Sequence, residues 1–239
     1  DAGLMQNLAD YATSGVSFER AYANGFSTPV SFPSILTGTY PDHYGGREYM
    51  SERRPFLAAA LREAGYRSAA FHSNPHLRRA TNYDTGFDFY NDFDDEAGEL
   101  SRLRYVVTKA VDNYSYLYRA LRWGYHFFRT TTGGADYAQA PEMNERAFQW
   151  VDRQRDADSP FFLWIHYMDV HYPFYPPDRF VAAGDEEPVG TSRAVRLNDR
   201  MHSDPSSLSE DDVGALRKLY QGDVRYMEIG RASCRERVY

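Results

Sequence analysis

Residues 160–167 read Pro160-Phe161-Phe162-Leu163-Trp164-Ile165-His166-Tyr167, an apolar run without the polar alternation of a half-exposed strand. Such a run marks a central strand of a parallel sheet, whose two faces are both covered by helices. The preceding segment agrees, because residues 140–155 place Met143, Ala147, Trp150 and Val151 on one helical face. Residues 166–177 follow as a loop at the carboxyl end of the strand, with two histidines and three prolines.

Further toward the N-terminus the same alternation repeats. Residues 4–14 read as a helix with Leu4, Leu8 and Tyr11 on one face, stopped by Gly15, and residues 16–22 as a strand. Residues 27–40 are a Ser/Thr/Pro-rich loop running into a short helix that ends at Gly38. A second helix over 56–64, closed by Gly65, leads to a strand over 66–71 and a polar loop over 72–79. This order predicts an α/β fold, a doubly wound and mostly parallel sheet flanked by helices, with chemistry at the carboxyl ends of its strands. Residues 81–134, aromatic but aperiodic, are expected as an insertion over the core, and 181–209 as a polar surface excursion. A last helix begins at an N-cap, Ser209, and is expected to reach about Met227. Residues 229–239 break abruptly into a basic run that resembles a translated cloning adapter, which leaves 1–228 as the domain.

Composition narrows the partners. A net charge of −7 argues against a general nucleic-acid binder, which needs a basic face, while leaving room for a small anion in a local site. Only Lys109 and Lys218 are lysines, so 27 − 2 leaves 25 arginines, a bias that high-GC coding or a salt-adapted host produces. One cysteine, Cys234, excludes intrachain disulfides and a cysteine-rich zinc site. No apolar run approaches the ~18 residues of a membrane span. The chain starts at Asp1 without an initiator Met, so a targeting peptide could have preceded it, and cytoplasmic and exported locations both stay open.

Residues 26–41, Phe26-Ser-Thr-Pro-Val-Ser-Phe-Pro-Ser-Ile-Leu-Thr-Gly-Thr-Tyr-Pro41, resemble the signature of the sulfatase branch of the alkaline-phosphatase superfamily, Cys or Ser-x-Pro-x-Arg followed by Leu-Thr-Gly-x-x-Pro. Counting back nine positions from Thr37 puts Thr28 at the family's nucleophile position. Ser27, in Ser27-x-Pro29, is the alternative one residue earlier. Phe32 stands at the signature's arginine position and Val30 at its inner proline position. The nucleophile position holds no cysteine, so cysteine-derived formylglycine is excluded. A threonine there resembles the phosphodiesterase and lipoteichoic-acid-synthase-like branches, where a metal-bound Thr28 alkoxide would attack phosphorus. Serine-derived formylglycine at Ser27 is the rival enzymatic reading. Without the flanking match, both hydroxyls read simply as helix N-caps.

Two more segments carry the resemblance. Residues 160–177 resemble the family's Phe-Phe-Leu-x-x-His-x-x-x-Pro-His-x-Pro-Tyr, with Val170 in place of proline, so His171 takes the position of the histidine that contacts the ester oxygens and aids the leaving group. His166 and Asp169 are expected to orient His171. Residues 61–77 resemble the Ala-Gly-Tyr strand and its Gly-Lys-Trp-His-Leu loop: His76-Leu77 matches His-Leu, and Asn74 replaces the lysine, pointing to a less charged substrate such as a diester. His76 and Asn74 are thus the substrate-binding candidates. Residues 219–228 resemble the family's Tyr-x-x-Glu-Val-x-Tyr-x-Asp helix, with a structural role.

The resemblance implies a metal-dependent hydrolase or transferase acting on sulfate or phosphate esters of a small molecule or glycan, with no nucleic-acid partner. It also implies a divalent cation held partly by Thr28: calcium first, with zinc, manganese or magnesium as alternatives. The family's paired aspartates precede the first helix, and its Asp-His or Asp-Asn pair follows the Tyr220 helix. Neither is found in this sequence, so the chain is expected to be an incomplete catalytic domain, inactive alone. A non-catalytic module that binds an anionic glycan on the same scaffold is the reading from outside enzymology.

Overall fold

The computed structural model describes residues 3–45, 49–92, 137–154, 158–181 and 187–238, with side chains through 228. Strands β1 (Arg67–His72), β2 (Phe89–Asn91) and β3 (Phe161–His166) form a parallel sheet in the order β2-β1-β3. β1 and β3 pair over their full length, from Arg67↔Phe161 to His72↔His166. Among the described residues the central strand is β1, and β3 lies beside it with its residues only half buried, where 160–167 was expected to be a central strand. Ser68, Ala69 and Ala70 let both helical layers approach β1 until each is fully buried, whereas the rings of β3 fill the margin.

Helices cover both faces, as expected of a doubly wound sheet. On one face α4 (Ala140–Asp152) sets Met143, Ala147, Trp150 and Val151 against Ala69 and Phe71. On the other, α2 (Thr28–Thr37) and α3 (Leu57–Glu63) bring Leu36 and Phe56 to Ala70, Tyr83 and Tyr90, with Phe32 and Trp164 packed alongside. A fully buried side chain of this size stabilises the fold by about 1.5–3 kcal/mol.

The expected first helix is present as α1 (Gln6–Ala12), tied to the C-terminal helix by a hydrogen bond from the Leu8 amide to Glu228 Oε1 at 2.9 Å. The strand expected over 16–22 does not form. An extended segment becomes a strand only when another segment takes up its peptide groups, and none among the described residues does so. Val16, Phe18 and Tyr22 are 82%, 80% and 88% exposed. The described part of the expected insertion, residues 81–92, includes β2, a strand of the sheet itself, and residues 93–134 lie outside the described residues.

The expected surface excursion over 181–209 begins at the last residue of α5 (Asp178–Val181) and contains the amphipathic helix α6 (Thr191–Ser203). Ala194, Val195, Leu197 and Asn198 of α6 are buried, and Ala194 and Leu197 pack on Ala215, Leu216 and Leu219. Its many charges belong to the opposite face, which hid the helical period. The last helix, α7 (Glu210–Val238), starts with a reciprocal cap: the Asp212 amide donates to Ser209 Oγ and the Ser209 amide to Asp212 Oδ2, both at 3.2 Å. It passes Met227 and continues through the segment assigned to the tail. No helix among the described residues is long and apolar enough to cross a membrane.

Gly86 fixes how closely α3 approaches the sheet. Its φ is +91°, and a Cβ there would lie 2.3 Å from the Ala59 amide nitrogen. Gly86→Ala is expected to lower stability by at least about 2 kcal/mol, combining backbone strain with overpacking, read as a lower urea midpoint at unchanged m value.

Candidate active site

The shared carboxyl end of β1 and β3 gathers most of the candidate residues. Register pairing places His72 and His166 side by side on the face that carries α2. Phe32 of α2 meets the His166 ring edge-on at 4.8 Å, so the side chain at the arginine position seals this floor with an aromatic ring. Asn74, in the loop after β1, is 3% exposed and sits 3.4 Å from His166 Nε2, while its Oδ1 accepts the His76 amide at 3.0 Å. His76 itself is exposed at the rim. Thr28 lies one helical turn before Phe32 and on the same face of α2.

Ser27 is the N-cap of α2 by position, yet its hydroxyl makes no capping bond, and neither it nor the Thr28 hydroxyl has a hydrogen-bond partner among the described residues. Both residues are half buried and their hydroxyls uncommitted. Few amides are left free at this helix start. Pro29 has no N–H, and Val30 and Ser31 both donate to the Ser27 carbonyl, at 3.1 and 2.9 Å. The positive end of the helix dipole remains in place to favour an anion.

His171 is exposed, in the loop after β3, with its ring centroid 5.8 Å from that of Tyr137 in an edge-to-face arrangement. Its Nδ1 lies 2.6 Å from the Tyr172 carbonyl oxygen. A carbonyl can only accept, so Nδ1 carries the hydrogen and Nε2 is the nitrogen offered to solvent or substrate. The two residues expected to orient His171 have other hydrogen-bonding partners. His166 Nε2 faces Asn74, and Asp169 Oδ1 accepts the Ala140 amide at the start of α4, at 3.0 Å, where a carboxylate gains both a donor and the helix dipole.

Burial dominates the electrostatics. Desolvation lowers His72 and His166 to about 4, so both are neutral near pH 7. Both ring nitrogens of His72 are buried with no hydrogen-bond partner among the described residues. Asp223 of α7 is pushed up to about 8, first by desolvation and then by the charge of Asp169, which desolvation also raises. His72, placed in a loop by its polar surroundings, and Asp223, hidden in a helix read as structural, were both missed in the sequence. The signal for His72 was a histidine closing an apolar run, the same one that marks His166.

A divalent metal is general in the family that the sequence resembles. Among the described residues no three His, Cys, Asp or Glu side chains converge, so they do not assemble such a site by themselves.

The family model described as Sulfatase matches residues 2–228, and the chain belongs to the sulfatase family. Two solved structures share the fold. Ps i-CgsB in complex with k-i-k-neocarrahexaose is 18% identical with a TM-score of 0.56, and a second structure of Ps i-CgsB is 20% identical with a TM-score of 0.51. Each alignment covers 98% of this chain and 49% of the other, so the chain spans about half the length of those proteins. No curated protein matches the sequence significantly.

Burial of ionisable groups gives stability a pH dependence of two opposite signs. A histidine whose folded value is depressed from 6.5 to about 4 contributes stability that is present above 6.5 and lost as pH falls toward 4. A carboxyl raised from 3.8 to about 8 contributes stability that is present below 3.8 and lost as pH climbs to 8. Urea midpoints measured across this range are expected to show a flatter acid limb for His72→Phe. For Asp223→Asn, the margin over wild type should grow steadily from pH 4 to pH 8.

Proposed function

We propose that the protein cleaves sulfate or phosphate esters, with Thr28 as nucleophile and His171 as the acid that protonates the leaving oxygen. The observation that carries this reading is the uncommitted Thr28 hydroxyl at the N-terminus of α2, above a floor built from Phe32, His166 and Asn74. In the proposed reaction Thr28 Oγ1 releases its proton to solvent and attacks sulfur or phosphorus. The bond to the alcohol oxygen breaks, and His171, when doubly protonated, delivers a proton to that oxygen from Nε2. The neutral form left behind is the Nδ1–H tautomer that the Tyr172 carbonyl stabilises. Water then hydrolyses the threonine ester.

Asn74 and His76 are assigned to the ester's anionic oxygens. A neutral amide at the lysine position and an aromatic ring at the arginine position leave the floor short of fixed positive charge, which favours a singly charged ester, a phosphodiester or a sulfate monoester, over a dianionic phosphate monoester. A glycan as the alcohol part is supported by Ps i-CgsB, whose structure holds a neocarrahexaose. Ser27 is the second reading, because its hydroxyl is equally uncommitted.

The test is hydrolysis of an aryl sulfate, a phosphate monoester and a phosphodiester by the longest native form of the protein. Thr28→Ala is expected to lower the rate by at least about 10³-fold and His171→Gln by about 10²–10⁴-fold. Full activity of Thr28→Ala, together with a formylglycine mass in the peptide containing Ser27, would overturn the threonine mechanism. Glycan binding without turnover by any form would identify a binding module instead.

A further inference from the structure

The loop that carries His171 is held from a helix the sequence does not connect to the site. Asn198 of α6 is 1% exposed, and its carboxamide grips the peptide unit of Phe174 from both sides. The Phe174 amide donates to Asn198 Oδ1 at 2.9 Å, and Asn198 Nδ2 donates to the Phe174 carbonyl at 3.0 Å. A second Nδ2 bond, to the Ala194 carbonyl at 2.9 Å, locks the carboxamide to its own helix. The Asn198 carbonyl also accepts the Tyr172 hydroxyl at 3.0 Å, and the Tyr172 ring stacks on His202 one turn further along α6. Four hydrogen bonds therefore converge on one buried residue, and two of the groups they fix, the Tyr172 side chain and the Phe174 backbone, flank the Tyr172–Pro173 bond.

The carbonyl of Tyr172 is the acceptor that keeps the hydrogen of His171 on Nδ1. We infer that Asn198 is the positioning residue of this site: it holds Tyr172 and Phe174 so that the Tyr172 carbonyl fixes His171 in its Nδ1–H form with Nε2 presented outward. The assignment of a catalytic consequence rests on the reading of His171 as the acid; the clamp itself does not. An asparagine suits the task because only a carboxamide offers a donor and an acceptor in the spacing of a peptide unit, so it can satisfy both sides of an isolated backbone segment that lacks a strand partner. Leucine has the same bulk but would leave the buried Phe174 groups unpaired.

The experiment is a long-range 1H–15N correlation spectrum of the intact protein labelled at its seven histidines, at a pH where imidazoles are neutral, with the His171 signal assigned by its absence in His171→Gln. The wild type is expected to show His171 as the Nδ1–H tautomer. Asn198→Ala should move it to the mixed pattern of a free imidazole while leaving His76 unchanged. In hydrolysis the same variant should lose about 10–100-fold in kcat with KM within about 2-fold, as expected when a reacting group is misplaced by about 1 Å. Asn198→Asp, which keeps the acceptor for the Phe174 amide and loses both donors, and Tyr172→Phe, which removes a single bond, give smaller changes of the same sign and serve if Asn198→Ala does not fold. A folded Asn198→Ala or Asn198→Asp variant with an unaltered His171 tautomer would overturn the inference. A shifted tautomer with unaltered hydrolysis would support the clamp and count against His171 as the acid.

Discussion

Six register partners, Arg67↔Phe161 to His72↔His166, hold β1 and β3 parallel, and the floor of the site hangs on their common end. Parallel pairing makes the two strands finish together, so the loops that follow them, one with Asn74 and His76 and the other with His171, start side by side. α2 then lies across that end because Phe32 packs on Trp164 and His166. The same ring contact that anchors the helix also sets Thr28 one turn further out, at the rim. Packing and chemistry are thus joined in a single residue, Phe32.

The His171 loop is restrained at several points by chemically different means. Asp169 ties its start to α4, Asn198 grips its middle, and the Tyr175 amide donates to Asp223 of α7. Gly222 admits Pro176 so closely that a Cβ there would sit 2.7 Å from the proline ring. A segment with three prolines and no partner strand loses less entropy on ordering than an ordinary loop, and these anchors offset the remainder. Two of the anchors are buried carboxyls whose second oxygens have no hydrogen-bond partner among the described residues, and burial, followed by the charge of Asp169, makes Asp223 hold its proton well above the usual carboxylate range.

Much of the architecture was legible because it is written in periodicity. The apolar run 161–165, the face Met143–Ala147–Trp150–Val151 and the stop at Gly65 each correspond to an observed strand, helix face or helix end. What failed was whatever depends on a partner elsewhere. Residues 16–22 have the pattern of a strand but no neighbour among the described residues, and strand formation is a property of pairs. β3 was expected to be a central strand, but among the described residues it pairs on one side only and its side chains stay half buried, because a partner strand is not written in the apolar run itself. In the site, Thr28, Asn74 and His166 were singled out from the motifs that flank them. The roles of Asp169 and Asn198 could not, since each is defined by a backbone group 29 or 24 residues away in the chain.

The alternation along β3 carries a last consequence. Leu163 and Ile165 face α4, while Trp164 and His166 face α2. One residue inserted or deleted between Phe161 and Ile165 would exchange the two sets, turning His166 toward the Met143 layer and Ile165 into the floor of the site. Point substitutions in this strand can be absorbed by repacking, but a change of length cannot. Among descendants of this sequence the five-residue stretch should therefore vary in letters and never in number.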